Sequence, residues 1–259
     1  MQACRNALRG LRRQPAHAGL LLAFYLENTD DKGDAKRVLL KRAQGSLGEV
    51  EPLYRLAFER WSKNVPPGEE VQASGRIIIG LGGESVLETA LTLHHTYGTP
   101  LLPGTALKGL AAHYCNRVWG ATDPEFLLET KDGSDGKPRC GRYYQALFGA
   151  QDDAGHITFY DAWITPDSLR NSLVEDVMTP HHAQYYMGKG SEAPTDFDEP
   201  NPVTLLSVRG RFRLAVGCDV PGEEGEKWRR LALRLLTGSL AHRGIGGKTN
   251  SGYGRFNAT

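Results

Sequence analysis

The order of sequence periodicities predicts an α+β domain with the ferredoxin-like order βαββαβ. Strand-like runs stand near residues 75–81, 156–164, 203–216 and 252–257, and helical spacing runs over 105–119 and 226–242. Glycine and proline turns bound these runs. In chain order they read strand, helix, strand, strand, helix, strand.

Residues 1–70 read as a helical N-terminal extension packed on a core domain of residues 71–259, which carries insertions near 121–155 and 165–202. In the extension, Val38 to Ala43 and Leu53 to Trp61 have amphipathic spacing, and Pro66-Pro67-Gly68 breaks the pattern. Gly75-Arg-Ile-Ile-Ile-Gly80 is the first strong strand. The turn after it, Gly80-Leu-Gly-Gly83, lacks the third glycine of a dinucleotide fingerprint, because Ser85 stands there. An extra strand or hairpin is expected near 86–97.

The first helix follows Pro103-Gly104, with Thr105 as expected N-cap and Lys108 one turn inside. Leu107, Leu110, Ala111, Tyr114 and Val118 share its apolar face, and Gly120 suits its end. The N–H groups opening such a helix, together with Lys108, offer a place for an anion.

The first insertion is polar and holds a helix-like segment, Arg142 to Phe148, before the strand His156 to Ile164. The second is acidic and contains Thr179 to Met187. There His181 and His182 are adjacent, hence a poor metal pair, but with Tyr185 they offer surfaces for stacking unpaired bases. Val203 to Val216 is the longest strand candidate. Arg209, Arg211 and Arg213 alternate along it, and three cations on one sheet face call for an anion across them.

After the amphipathic helix Glu226 to His242 comes Arg243-Gly-Ile-Gly-Gly-Lys-Thr-Asn-Ser-Gly-Tyr-Gly-Arg-Phe256. Gly247-Lys248-Thr249 looks like the end of a phosphate-binding P-loop. That pattern needs glycine at His242 and a strand before the loop, so ATP binding is not expected. Arg243, Lys248, Thr249, Asn250, Ser251, Tyr253 and Arg255 still make the loop a candidate for backbone-phosphate contact.

Charge is unevenly distributed along the chain. The net charge is only +1, but residues 1–42 hold nine Lys/Arg against four Asp/Glu and residues 209–259 hold ten against four. Two basic ends thus flank an acidic centre, which suits a chain that meets a phosphate backbone on one side. Cys4, Cys115, Cys140 and Cys218 form no C-x-x-C pair, so free thiols in a reducing cytosol are expected, with neither a metal site nor a cofactor. No apolar run approaches the roughly 18 residues of a membrane span. The opening Met1 to Leu26 lacks a signal-peptide cleavage site.

Pro103-Gly104-Thr105-Ala106-Leu107-Lys108-Gly109 resembles the central signature of the RAMP superfamily, RNA-binding subunits of CRISPR effector complexes. Leu147-Phe148-Gly149 with the strand ending in Asp161-Ala162, the entry Asn201-Pro202-Val203, and the terminal glycine loop resemble further segments of that family. The resemblance covers about residues 75–256. Ala18 to Leu22 and the His-His … Tyr-Tyr insertion look most like the sixth-subunit family of type III-B (Cmr) effectors. This implies a non-catalytic, cytoplasmic RNA-binding subunit near the 3′ end of a CRISPR guide RNA. Its partners would be the complementary target RNA and the neighbouring Cmr backbone, small-helical and capping RAMP subunits. The aromatic signature of ordinary RRM domains is absent, so RNA contact would lean on loops and phosphates. The rival is an RNA-cleaving enzyme with His17, His94 or His95 as general base. The loop aspartate of target-cleaving relatives is missing between Gly80 and Ser85, which offers only Glu84.

Overall fold

Two helices lead the part of the chain that the structure, a computed structural model, describes: residues 17–26, 34–85, 87, 89–129, 139–179, 193, 200 and 202–257. His17 caps α1 (Ala18–Phe24), its Nδ1 accepting the Leu20 N–H at 3.1 Å. The 31-residue α2 (Asp34–Asn64) buries Leu39, Leu40, Ala43, Leu47 and Tyr54, at the spacing of one helical face.

The main sheet has four short strands: β1 (Glu70–Gln72), β2 (Leu101–Leu102), β6 (Ala162–Ile164) and β9 (Arg211–Arg213). They lie in the order β1-β9-β6-β2, every neighbour antiparallel. Val71, Phe212 and Ile164 are cross-strand partners, so they share one face, and all are buried. Trp163, Arg213 and Glu70 share the other.

α2 covers that second face at Trp163. The Trp61 and Trp163 rings stack at 5.0 Å, Tyr54 stacks on Trp163 at 5.8 Å, and the Tyr54 hydroxyl donates to Ile164 O at 2.7 Å. Burial of Tyr54 pushes its hydroxyl pKa up, so it stays a donor.

β5 (Ile157–Phe159) and β10 (Val216–Cys218) continue β6 and β9 as a second antiparallel pair. Between Trp163↔Arg213 and Phe159↔Val216 the first strand carries one more residue than the second. Tyr160-Asp161 is therefore a bulge. β7 (Leu173–Met178) and β8 (Val203–Val208) form a six-pair hairpin, and β3 (Gly149–Ala150) and β4 (Asp153–Ala154) a small one. α3 (Gly104–Tyr114) runs into a π turn (Cys115–Trp119) and meets α6 (Gly222–His242) where Tyr114 stacks on His242. α4 (Arg142–Phe148) and α5 (Pro166–Leu169) are short.

The architecture is thus mixed helix and sheet, α+β. Several strands differ from expectation for reasons of backbone pairing. Ile77, Ile78 and Ile79 are buried but form no ladder. Ile77 exchanges two 2.7 Å bonds with Val208, and Ile78 O is taken by Gly247 N at 2.8 Å. The first strand therefore sits earlier, at Glu70. The expected 203–216 strand is three strands, turned at Gly210 (φ +138°). Of 252–257, only Phe256 bridges, to Ala73, and among the described residues near 86–97 only Leu93 bridges, to Pro100.

Cys115, Cys140 and Cys218 are free thiols, and burial pushes Cys115 up to about 12. Among the described residues no cluster of three metal-ligating side chains occurs, and no helix is long and apolar enough to cross a membrane.

Candidate nucleic-acid interface

The Pro103-Gly104 turn places the start of α3 against the bulge. Gly104 has no side chain because there is no room for one: a Cβ there would lie 2.3 Å from Phe159 O. The helix N-cap is Pro103, so Thr105 is the second helical residue and exposed, not the cap expected from sequence. Capping is supplied from across the sheet, where Asp161 Oδ1 accepts the Gly104 N–H at 2.7 Å. The anion expected at this helix start is thus partly the protein's own carboxylate. Lys108 is exposed one turn further on.

The glycine-rich loop is anchored elsewhere, on the segment 74–79. Ser74 N donates to Arg255 O, Gly254 N to Arg76 O and Gly247 N to Ile78 O, at 2.7–3.0 Å. Gly246, at φ +90°, admits this approach, since a Cβ would lie 2.3 Å from Ile78 O. Many loop N–H groups therefore close the loop on the protein, which leaves its side chains to make the phosphate contact expected from sequence.

Lys248 has φ +59°, the one positive φ of a non-glycine among the described residues. Its carbonyl accepts from Ser251 N and Tyr253 N, which fixes the turn before the 3₁₀ stretch Thr249–Ser251. Holding a lysine there costs on the order of 1 kcal/mol.

The predicted loop residues divide in two. Arg243, Lys248, Asn250 and Ser251 are exposed, and Thr249 is half-buried. Tyr253 and Arg255 are used internally. The Tyr253 hydroxyl donates to Asp176 Oδ2 at 3.0 Å, and the Arg255 guanidinium donates to His242 O at the end of α6. Asp176 also pairs with Arg76 at 2.9 Å. Burial alone would raise its carboxyl pKa, but the bonds from Arg76, Tyr253 and the Val177 N–H outweigh burial and hold it below the usual range. Sequence reasoning missed this Arg76–Asp176–Tyr253 tie, because its members lie far apart in the chain.

The three arginines do not form one stripe. Arg211 and Arg213 share a face of β9, but Arg209 lies before the Gly210 turn, its Nε bonded to Asn171 O at 3.1 Å. Arg211 approaches Glu70 at 3.6 Å, and Arg213 Nε is buried without a hydrogen-bond partner. His181, His182 and Tyr185 lie outside the described residues.

The rival's histidines do come together. His17 Nε2 bonds His95 O at 2.8 Å while Nδ1 caps α1, so both ring nitrogens are engaged. His94 packs edge-on to Trp163 at 4.6 Å. Its pKa is lowered by burial first, and then by His17 and His95 against the pull of Asp161.

The sequence profile of the RAMP superfamily matches residues 70–257. A CRISPR system Cmr subunit Cmr6 from Pyrococcus furiosus is 30% identical over 228 residues, covering 71% of this chain and 66% of that protein. The matched region thus spans just under two thirds of the relative's length. A crystal structure of Cmr6 from Pyrococcus furiosus aligns with a TM-score of 0.45 and 26% identity, over 74% of this chain and 97% of that one. A chain in the cryo-EM structure of the type III-B Cmr-beta bound to cognate target RNA aligns with a TM-score of 0.55 and 18% identity. That alignment covers 90% of this chain and 77% of that one, and shows a common fold.

Proposed function

This chain belongs to the RAMP superfamily, and from that premise we propose that it is a non-catalytic structural subunit of a type III-B CRISPR RNA-guided effector complex. It holds guide or target RNA by the backbone near the guide's 3′ end, in the cytoplasm, beside other Cmr subunits. The observation that carries the RNA contact is the glycine loop, where Lys248 is kept in a strained conformation with its side chain exposed. A left-handed turn is served better by glycine or asparagine, so a cation retained there points to an anionic ligand. Arg243, Asn250 and Ser251 stand beside it. Thr105 and Lys108 form a second contact at the start of α3.

The order β1-β9-β6, with Phe256 bridging Ala73 beyond β1, supports a ferredoxin-like frame carrying residues 1–70 as an extension. The test is to purify the tagged chain from its host at moderate salt and sequence the accompanying RNA. Repeat-spacer RNAs with several co-purifying subunits are expected, and a chain free of both would sink the reading.

One observation favours a second reading, an endoribonuclease: His17, at the start of α1, bonds the turn that carries His94 and His95. His17 would have to give up the α1 cap to act as base, and His94 Nδ1 already accepts the Thr96 N–H at 3.1 Å, while His95 is exposed. RNA cleavage that survives removal of divalent metal and is lost in His94→Ala or His95→Ala would replace the scaffold reading.

A further inference from the structure

A polar groove of about 480 Å³ is lined in part by the Ser74–Arg76 turn, the same turn to which the glycine loop is bonded. Gln72, Arg76, Ser168, Asn171 and Arg209 line it, around the turn at Gly210. We propose that this groove seats one nucleotide of the same single-stranded RNA that the glycine loop holds, an inference that rests on the RNA-binding reading above.

Charge is the first argument. Asp167 at the rim is paired with Arg55 at 3.0 Å, and Arg76 with Asp176 at 2.9 Å, so these charges largely cancel. Arg209 is exposed and, among the described residues, meets no carboxylate. Its Nε is fixed on Asn171 O, which leaves the rest of the fork for a phosphate.

The second argument is hydrogen-bond accounting. Ser168 Oγ accepts from Arg211 N–H at 3.1 Å and from Thr165 Oγ1 at 3.0 Å. With both lone pairs engaged, its hydroxyl is left as a donor. Asn171 is exposed, and its side-chain amide supplies both a donor and an acceptor, suited to a ribose hydroxyl or a base edge. The floor is close because Gly210 has no side chain, a Cβ there meeting Ser168 Cβ at 3.0 Å.

Placement is the third. Ser74 and Arg76 give their backbone bonds to the glycine loop, and both also line the groove. One RNA strand running along that turn would pass from the glycine loop that carries Lys248 to the groove that carries Arg209. The volume is that of a small-ligand site, large enough for a single nucleotide.

The test measures binding of a fluorescein-labelled oligouridine RNA to the full chain across a salt series. Arg209→Ala is expected to weaken binding about tenfold and to reduce the salt slope by about 0.7, the value for one phosphate on a single strand. Asn171→Ala is expected to weaken binding about threefold with the slope unchanged, as for a neutral hydrogen bond. Both side chains are exposed, and an unchanged denaturation midpoint verifies folding. Wild-type affinity and slope in both variants, with Lys248→Ala still impaired, would overturn the groove and leave the loop standing. A wild-type chain that binds no RNA would remove both.

Discussion

Two residues in different turns carry opposite lessons. Gly104 is needed for its lack of volume, and Gly104→Ala is expected to cost about 3 kcal/mol, because a Cβ 2.3 Å from a backbone oxygen must push the bulge away from α3. A lower denaturant midpoint at unchanged slope would register this. Lys248 is the reverse case, kept where glycine would be easier. Lys248→Gly is expected to raise stability by up to about 1 kcal/mol while weakening RNA binding, and a parallel loss of both would refute the idea. Asp176 links the loop to acidity. Its folded pKa lies below the unfolded one, so its contribution is complete above the ordinary aspartate range of about 3.9 and is lost as pH falls through the folded value. Asp176→Asn should therefore lower the midpoint at neutral pH and converge on the wild type in acid. These pair-level facts were not legible in sequence. Asp161 stood out in a strand-Asp-Ala motif, yet nothing in the chain showed that it reaches Gly104, 57 positions away.

At the scale of elements, α2 is the clearest case of a legible helix with an illegible role. Its apolar spacing over Leu53 to Trp61 was visible, but Leu53 and Leu56 prove exposed while Tyr54, one position on from Leu53, is fully buried. Trp163, half-buried on β6, gathers Tyr54, Trp61, His94 and Tyr97 around it. Trp163→Ala is expected to destabilise by about 3–5 kcal/mol and to abolish much of the near-ultraviolet circular dichroism. Retention of both would mean that α2 is only loosely attached. Strands were less legible than helices for a physical reason. A strand is completed by its neighbour's hydrogen bonds, and Ile77 to Ile79, with every local mark of a strand, spends those bonds on Val208, the glycine loop and Thr92.

For the whole molecule, the even charge balance hides a basic end that the fold attaches to the sheet through the segment 74–79. RNA affinity should fall steeply with salt, and Lys248→Ala should reduce the slope by about 0.7 with little dependence on RNA sequence. A slope near zero in the wild type would argue that contact is not made through phosphates. The start of α3, which carries the exposed Thr105 and Lys108, is fixed against the β5–β6 bulge through Gly104, while the loop is fixed against Ser74–Ile78. Tyr114, which touches the residue leading into the loop, lies about 14 Å along the helix from Thr105. Substitutions at the two places should therefore combine nearly additively in binding energy.

By itself the sequence determined the α+β class, the two core helices, the N-terminal helices and the family signature. Those follow from local periodicity, turn residues and short-range spacing, which a chain carries wherever it folds. Only the tertiary structure decided that Asp161 caps α3, that Tyr253 and Arg255 face inward, and that Arg209 leaves the arginine stripe to border a groove. Each of those outcomes depends on which distant group satisfies a buried donor or charge, and that partner is chosen by packing rather than by sequence distance.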